Sequence, residues 1–417
     1  MWGIKSAVKN PLIIGTTCFL AYAASYMGRN ILSAMLPLMI ENNIYNRDLL
    51  AAMGSSFFIT YGSGQLINGF IGNKVSPKYM VFIGLFATGL LLMIFPLFNS
   101  QSLAYLLWGA CGFLCSMLWG PLSKLVGENT SAAVGRLILT LLTIASVVGT
   151  GVTYLLAILS TIRGSWKLGF FITGIVLVIL SVHWFLSYSC MEKKHIIKYK
   201  GDSNKSLLQS NTTIKQLLEH GFISITIVTM LNGVIRNAVG FWIPAYISER
   251  FQVSSASATA IVSILPFVNL GGTLLSVYIS KYFKYNEKKT LTLLFSISTI
   301  MFAGMYFSDG RGMVLNIVAL FAASAAMTGA CNMIFSFYVL RFADSGKLSG
   351  ITGFLDFSSY LSASVVSILF SSLISNFGWN FIVGIWALTM LLGVVFSLLS
   401  SRNDPLKPQV QLTTNVK

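Results

Sequence analysis

Arg29 and Arg236 constrain the chemistry of this 417-residue chain more than any other residues, because each sits deep inside a long apolar run. At about 1.5 Å of helix per residue both fall near the middle of a bilayer. There an arginine costs about 2.5–3.5 kcal/mol on insertion scales and persists only where a partner or a cavity rewards it. Of the 12 acidic residues, Asp356 alone lies well inside an apolar run, and one carboxylate cannot neutralise two guanidinium groups. The surplus charge implies a small anionic substrate that arrives and leaves. Asp356 itself has three open roles: counter-ion to an arginine, proton carrier, or substrate contact. A planar guanidinium fork matches the oxygens of a phosphate or carboxylate in a two-point contact, which a lysine ammonium cannot do. Tyr22, Tyr26 and Arg29 are spaced four and three apart, so they share one helix face, and Tyr61 in the next run offers a further hydroxyl. Aromatic residues also pack in membrane helices, and it is the alignment with Arg29 that marks these as substrate-binding candidates.

The same apolar runs hold no paired carboxylates and no Ser/His/Asp set, so intramembrane catalysis has nothing to work with, and no cofactor is implied. Cys111 and Cys115 lie on one helix face, but no histidine or carboxylate joins them. They are expected to be packing residues rather than a metal pair.

The elements that must position these groups follow from composition. The chain is 55% hydrophobic and 10% charged, with a mean hydropathy of +0.76. A soluble chain averages nearer a quarter charged. Lipid is the alternative solvent, and it demands apolar runs of about 20 residues. These occur near 12–40, 49–72, 79–98, 102–125, 137–160 and 166–190, then near 221–247, 256–283, 288–307, 312–340, 348–374 and 379–400. The runs are continuous rather than alternating, which excludes a membrane β-barrel. A helix satisfies its own backbone in lipid, so an all-α membrane protein of twelve transmembrane helices is predicted. The first run is too long for a cleaved leader and lacks a small-residue cleavage site, so it is expected to remain as a helix.

Basic residues orient the bundle. With both termini cytoplasmic, the inner loops hold 21 of the 28 lysines and arginines, and the outer loops hold Arg47, Arg163, Lys167, Arg250 and Arg311. The formal charge of +16 is therefore read as topology, not as a nucleic-acid surface. The expected location is the bacterial cytoplasmic membrane, and the expected state is a monomer. The basic stretch 191–218 divides the chain into a six-helix half at 1–190 and a second at 219–402, followed by a tail at 403–417. The halves echo each other. Arg29-Asn30, six residues, then Pro37 in the first helix becomes Arg236-Asn237, six residues, then Pro244 in the seventh. Such repeats mark pseudo-symmetric transporter halves, whose binding site lies near the midplane.

The stretch from Ala21 through Tyr22, Tyr26 and Arg29-Asn30 to Leu36-Pro37 resembles the first helix of the organophosphate:phosphate antiporters, a branch of the major facilitator superfamily. The resemblance covers most of the chain. It continues through Thr60-Tyr61-Gly62, Gly112 to Pro121 with Trp119, Gly149-Thr150-Gly151, Gly350 to Gly353, and Phe377-Gly378-Trp379. It implies the major facilitator fold, a second substrate arginine at Arg236, and exchange of a phosphate ester for inorganic phosphate. Gly69, Gly72, Lys74 and Lys78 resemble the superfamily's signature loop, with Asn73 where an acid is usual. Gln65 and Ser146 stand where the glycerol-3-phosphate transporters carry a basic residue and a histidine. The resemblance therefore implies anion binding without implying that particular ester. Two other readings stay open: a transporter-like membrane sensor of a phosphorylated metabolite, and a carrier of a non-phosphate anion such as a sugar acid or drug.

Overall fold

Side-chain caps mark the starts of several helices. In the computed structural model, which describes residues 3–98, 100–197, 221–308, 312–339 and 348–402, α1 (Gly3–Glu41) is followed by α2 (Arg47–Lys74). The Asn46 side chain caps α2 by accepting from the Leu49 amide at 2.8 Å. Ser76 caps α3 (Pro77–Ile94), with Pro77 at the first helical position, and Ser100 caps α4 (Gln101–Cys115). Then come α5 (Trp119–Asn129), α6 (Ala132–Ile162) and α7 (Trp166–Lys193). In the second half, α8 (Phe222–Gly233) continues through a π-helical stretch, Val234–Val239, into α9 (Gly240–Phe251). After α10 (Ser255–Val262), α11 (Leu265–Tyr282) and α12 (Glu287–Phe307), α13 (Met313–Asn332) runs into a second π-helical stretch, Met333–Tyr338. The last helix, α14, spans Leu348–Arg402.

Among the described residues, ten helical segments are long and apolar enough to cross a membrane. One of them, Ile351–Ser400, has 50 residues, about 75 Å of helix and more than twice a bilayer core. It breaks at Gly378, whose φ of 74° is the left-handed conformation that glycine adopts without Cβ strain. This segment therefore crosses twice. The 28-residue α2 is also long enough to span, but its serines, glycines and asparagines lower its hydropathy. The described residues thus supply twelve membrane-length passes, as the sequence predicts. Within the predicted linker 191–218 only 191–197 is described, and the tail 403–417 lies outside the described residues.

By their contacts the residues form two compact units. The first comprises Met1–Asn204, Asn237–Phe267 and Tyr360–Asn376, and the second Lys205–Arg236, Val268–Ser359 and Phe377–Lys417. In the first, α1 packs chiefly on α6, α2 on α4 and α3 on α7, while in the second α12 packs on α13. Without a hydrophobic drive between helices in lipid, small residues allow the close approach that dispersion needs. A Cβ added at Gly149 would lie 2.1 Å from the carbonyl oxygen of Ala23, so α6 meets α1 there backbone to backbone. Cys111 and Cys115 are both buried and unoxidised in α4.

Candidate functional site

The α1–α6 contact sets the site. Directly after Gly149, the Thr150 hydroxyl accepts from Asn30 Nδ2 at 3.0 Å, and the same amide donates to the Tyr26 carbonyl at 2.9 Å. Asn30 thereby fixes the turn of α1 that carries Tyr26 and Arg29 against α6.

Arg29 is half-buried, and its partners are aromatic. Its guanidinium carbon lies 4.5 Å from the Tyr61 ring centroid, 5.3 Å from that of Tyr360 and 5.4 Å from that of Tyr26. Its Nη2 donates to the Tyr360 hydroxyl. Among the described residues no carboxylate lies within ion-pair distance of Arg29; Glu249 pairs with Arg47 and Glu192 with Lys78. Ring faces stabilise the cation, by roughly 0.5–2 kcal/mol each depending on solvation, without cancelling its charge. Such a cage holds a guanidinium in place and leaves its field available to an anion.

Tyr61 and Tyr360 pack 4.7 Å apart, and Phe58 closes the group 6.3 Å from Tyr360. Tyr22 meets Tyr26 at 5.2 Å and Trp119 at 5.3 Å, extending the aromatic surface one turn along α1. The structure therefore gathers Tyr22, Tyr26, Arg29 and Tyr61, and it adds Tyr360. Tyr360 comes from α14, 331 residues from Arg29 in sequence, where it is one aromatic residue among many. Its only sequence signal is its place four residues after Asp356, on the same helix face.

Arg236 and Asp356 belong to the second unit, and both are half-buried. Arg236 lies within the π-helical stretch Val234–Val239, a backbone irregularity that frequently marks functional sites. Gln65 is half-buried on α2, and the Ser146 hydroxyl donates to its own helix at the Thr143 carbonyl, 2.6 Å away.

The predicted signature loop joins α2 to α3. Lys78 Nζ lies 3.0 Å from Glu192 Oε2 and 4.9 Å from the Phe185 ring centroid, while Trp184 Nε1 donates to the Lys78 carbonyl. The loop is thereby fastened to α7. Lys124 donates to the Gly72 carbonyl at 3.0 Å and satisfies one open acceptor at the C-terminal end of α2. A Cβ at Gly69 would meet nothing within 4 Å, so close packing does not demand glycine there in this state. The side chains of Asn73 and Lys74 lie outside the described residues.

Twelve membrane-length helical passes among the described residues define a multi-pass membrane protein. The sequence profile of the Major Facilitator Superfamily matches residues 18–367, and the chain belongs to that family. Among curated relatives, a probable hexose phosphate transport protein of Chlamydia trachomatis is 22% identical over 319 residues, covering 68% of this chain and 67% of the relative. The membrane sensor protein UhpC of Escherichia coli is 21% identical over 394 residues, covering 87% and 86%. Among solved structures, a bacterial homologue of the human lysosomal transporter Spinster, inward-facing and unoccupied, superposes with a TM-score of 0.77. It is 12% identical and covers 94% of this chain and 97% of that one, a likeness that shows the fold alone.

Proposed function

We propose that this protein is a secondary active transporter of an organic anion, a phosphate ester exchanged for inorganic phosphate by alternating access. The observation that carries the reading is Arg29, a guanidinium within the membrane-length span Pro11–Glu41 that is held by three tyrosine rings and a hydroxyl, with no carboxylate at ion-pair distance among the described residues. Such a site is complete only when a mobile anion is present. The likeness to a probable hexose phosphate transport protein of Chlamydia trachomatis supports a phosphorylated ligand. Arg236 is proposed as the second phosphate-binding charge from its place in the Arg-Asn-x6-Pro repeat and its π-helical backbone. Tyr22, Tyr26 and Tyr61 complete the binding surface, and Asp356 serves as counter-ion or coupling group.

The mechanism follows from electrostatics. Closing a dehydrated interior over the Arg29 charge is costly, and a phosphate near charge −2 removes that cost. The anion therefore binds the occluded state better than the open ones, and only such differential affinity shifts the equilibrium between states. A carrier that crosses readily only when loaded performs exchange. Counterflow in proteoliposomes tests this. Labelled inorganic phosphate should exit when glucose 6-phosphate or another phosphate ester is presented outside, and sugar acids without phosphate should not drive it. Absence of phosphate-coupled flux, with sugar-acid exchange instead, would overturn the reading.

A second reading, membrane sensing, is favoured by the Escherichia coli relative. Saturable binding of the phosphate ester with no measurable counterflow would select it. Both termini are proposed to face the cytoplasm, with the six-helix halves at 1–190 and 219–402 joined by the basic linker.

A further inference from the structure

In the second unit, α11 presents two unlike faces. Leu274, Leu275, Tyr278 and Tyr282 are 54–82% exposed and form the face toward lipid. Asn269, Thr273, Ser276 and Ser280 recur three or four apart on the opposite side, and Ser276 and Ser280 are buried. That side packs on α13: a Cβ at Gly272 would lie 2.2 Å from the Ala325 carbonyl oxygen, and Asn332 Nδ2 donates to Ser276 at 3.2 Å. Most of the stripe is therefore interhelical packing.

Asn269 is different. It lies halfway along the 28-residue span Ser255–Tyr282 and remains half-buried although it points away from the lipid face. Its Oδ1 accepts from the Ser324 hydroxyl at 3.0 Å, which holds the amide in one orientation. Among the described residues no acceptor takes either N–H of its amide. An amide with two open donors is strongly disfavoured against hydrocarbon, because lipid offers no replacement hydrogen bond. A partly accessible amide at this depth and on this side is thus explained by water or a polar ligand.

We propose that Asn269, positioned by Ser324, is a specificity-determining contact of the transport site that donates to an oxygen on the hydroxyl-bearing organic portion of the substrate. This rests on the phosphate-ester reading above. Arg236, in the same unit as Asn269, carries a guanidinium that matches phosphoryl oxygens in charge and shape, whereas a neutral amide with two donors suits the closely spaced hydroxyl oxygens of a polyol. A site built to hydrogen-bond such a group discriminates against ligands that lack it.

Two measurements on the full-length protein test the proposal. In proteoliposomes, Asn269→Leu should raise the apparent KM for glucose 6-phosphate roughly tenfold, and that for inorganic phosphate far less. Ser324→Ala should cause a smaller shift of the same kind. Equal loss toward ester and inorganic phosphate, or no change toward either, would overturn the assignment. The second measurement is independent of what is carried. A water-soluble maleimide should modify Asn269→Cys well above the parent protein's background and leave Leu274→Cys at that background. Equal reactivity at the two positions would show that Asn269 does not face water. Absence of phosphate exchange in the unaltered protein would instead defeat the proposed function, leaving the labelling result to decide whether Asn269 is accessible.

Discussion

Arg47 Nη2 lies 2.6 Å from Glu249 Oε2, joining the start of α2 to the last turn of α9 within the first unit. Four other polar contacts accompany it. Ser255 donates to the Glu41 carboxylate, Ser371 to Asp48 at 2.7 Å and Ser33 to the Phe241 carbonyl at 2.9 Å, and Ser55 and Ser364 share a hydrogen bond of 2.8 Å. Together they tie α1 and α2 to the segments 237–267 and 360–376, which is why those segments belong to the first unit. Each member of the ion pair is 24% exposed, so the pair alone contributes about 0.2–1 kcal/mol. Ties this weak can break singly at little cost.

That weakness carries a prediction. In the proposed topology this is the outer end, and alternating access requires it to part. A short bifunctional thiol reagent linking the Arg47→Cys, Glu249→Cys double variant should stop transport, and a cleavable linker should restore it after reduction. Unchanged flux in the linked protein would show that this end does not open.

The caged arginine should tolerate little change. Arg29→Lys keeps the charge but loses the fork, removing a charge-assisted contact of about 1.5–3 kcal/mol. Apparent affinity for a phosphate ester should fall roughly ten- to a hundredfold, since each 1.4 kcal/mol is about tenfold. Initial exchange rates across a substrate series would report it. Near-normal exchange by this variant would remove the two-point phosphate contact from the mechanism.

Tyr360 supplies a ring and a hydroxyl, and these separate experimentally. Tyr360→Phe keeps the ring and removes the hydroxyl that accepts from Arg29, and should weaken the apparent affinity roughly tenfold. Tyr360→Leu also loses the ring 5.3 Å from the guanidinium and should be worse. Equal effects from the two variants would mean that the ring contributes nothing.

Gly149 and Gly151 form a matched pair. Gly149→Ala drives a methyl group into the Ala23 carbonyl and should cost about 1–3 kcal/mol by overpacking, lowering the melting temperature in detergent. Gly151→Ala meets nothing within 4 Å and should leave it nearly unchanged. Reversal of that order would contradict the α1–α6 packing.

The fold was readable because lipid imposes a local rule. Each pass must be apolar over about 20 consecutive residues, and that condition is visible one segment at a time. Even the crossing between 374 and 379 could be seen, since Gly378 interrupts the apolar run where the chain turns. The α2 pass is legible for the same reason, although serines and glycines make it less apolar.

The site was readable only as far as one helix carries it. Tyr22, Tyr26 and Arg29 share a face because 3.6 residues make a turn, and that periodicity is written in the sequence. Tyr61 adjoins them across a helix–helix contact and was found by residue type and resemblance. Tyr360 was missed because nothing local links it to a partner 331 positions away.

By itself, the sequence determined twelve lipid-spanning passes, the burden of arginine within them and the repeat that relates the two halves, since hydropathy and helical period are properties of neighbouring residues. Tertiary structure alone decided that tyrosine rings surround Arg29, that Ser324 holds the Asn269 amide, and that Arg47 meets Glu249. Those facts depend on distances between helices far apart in the chain, which side-chain packing sets and local periodicity does not encode.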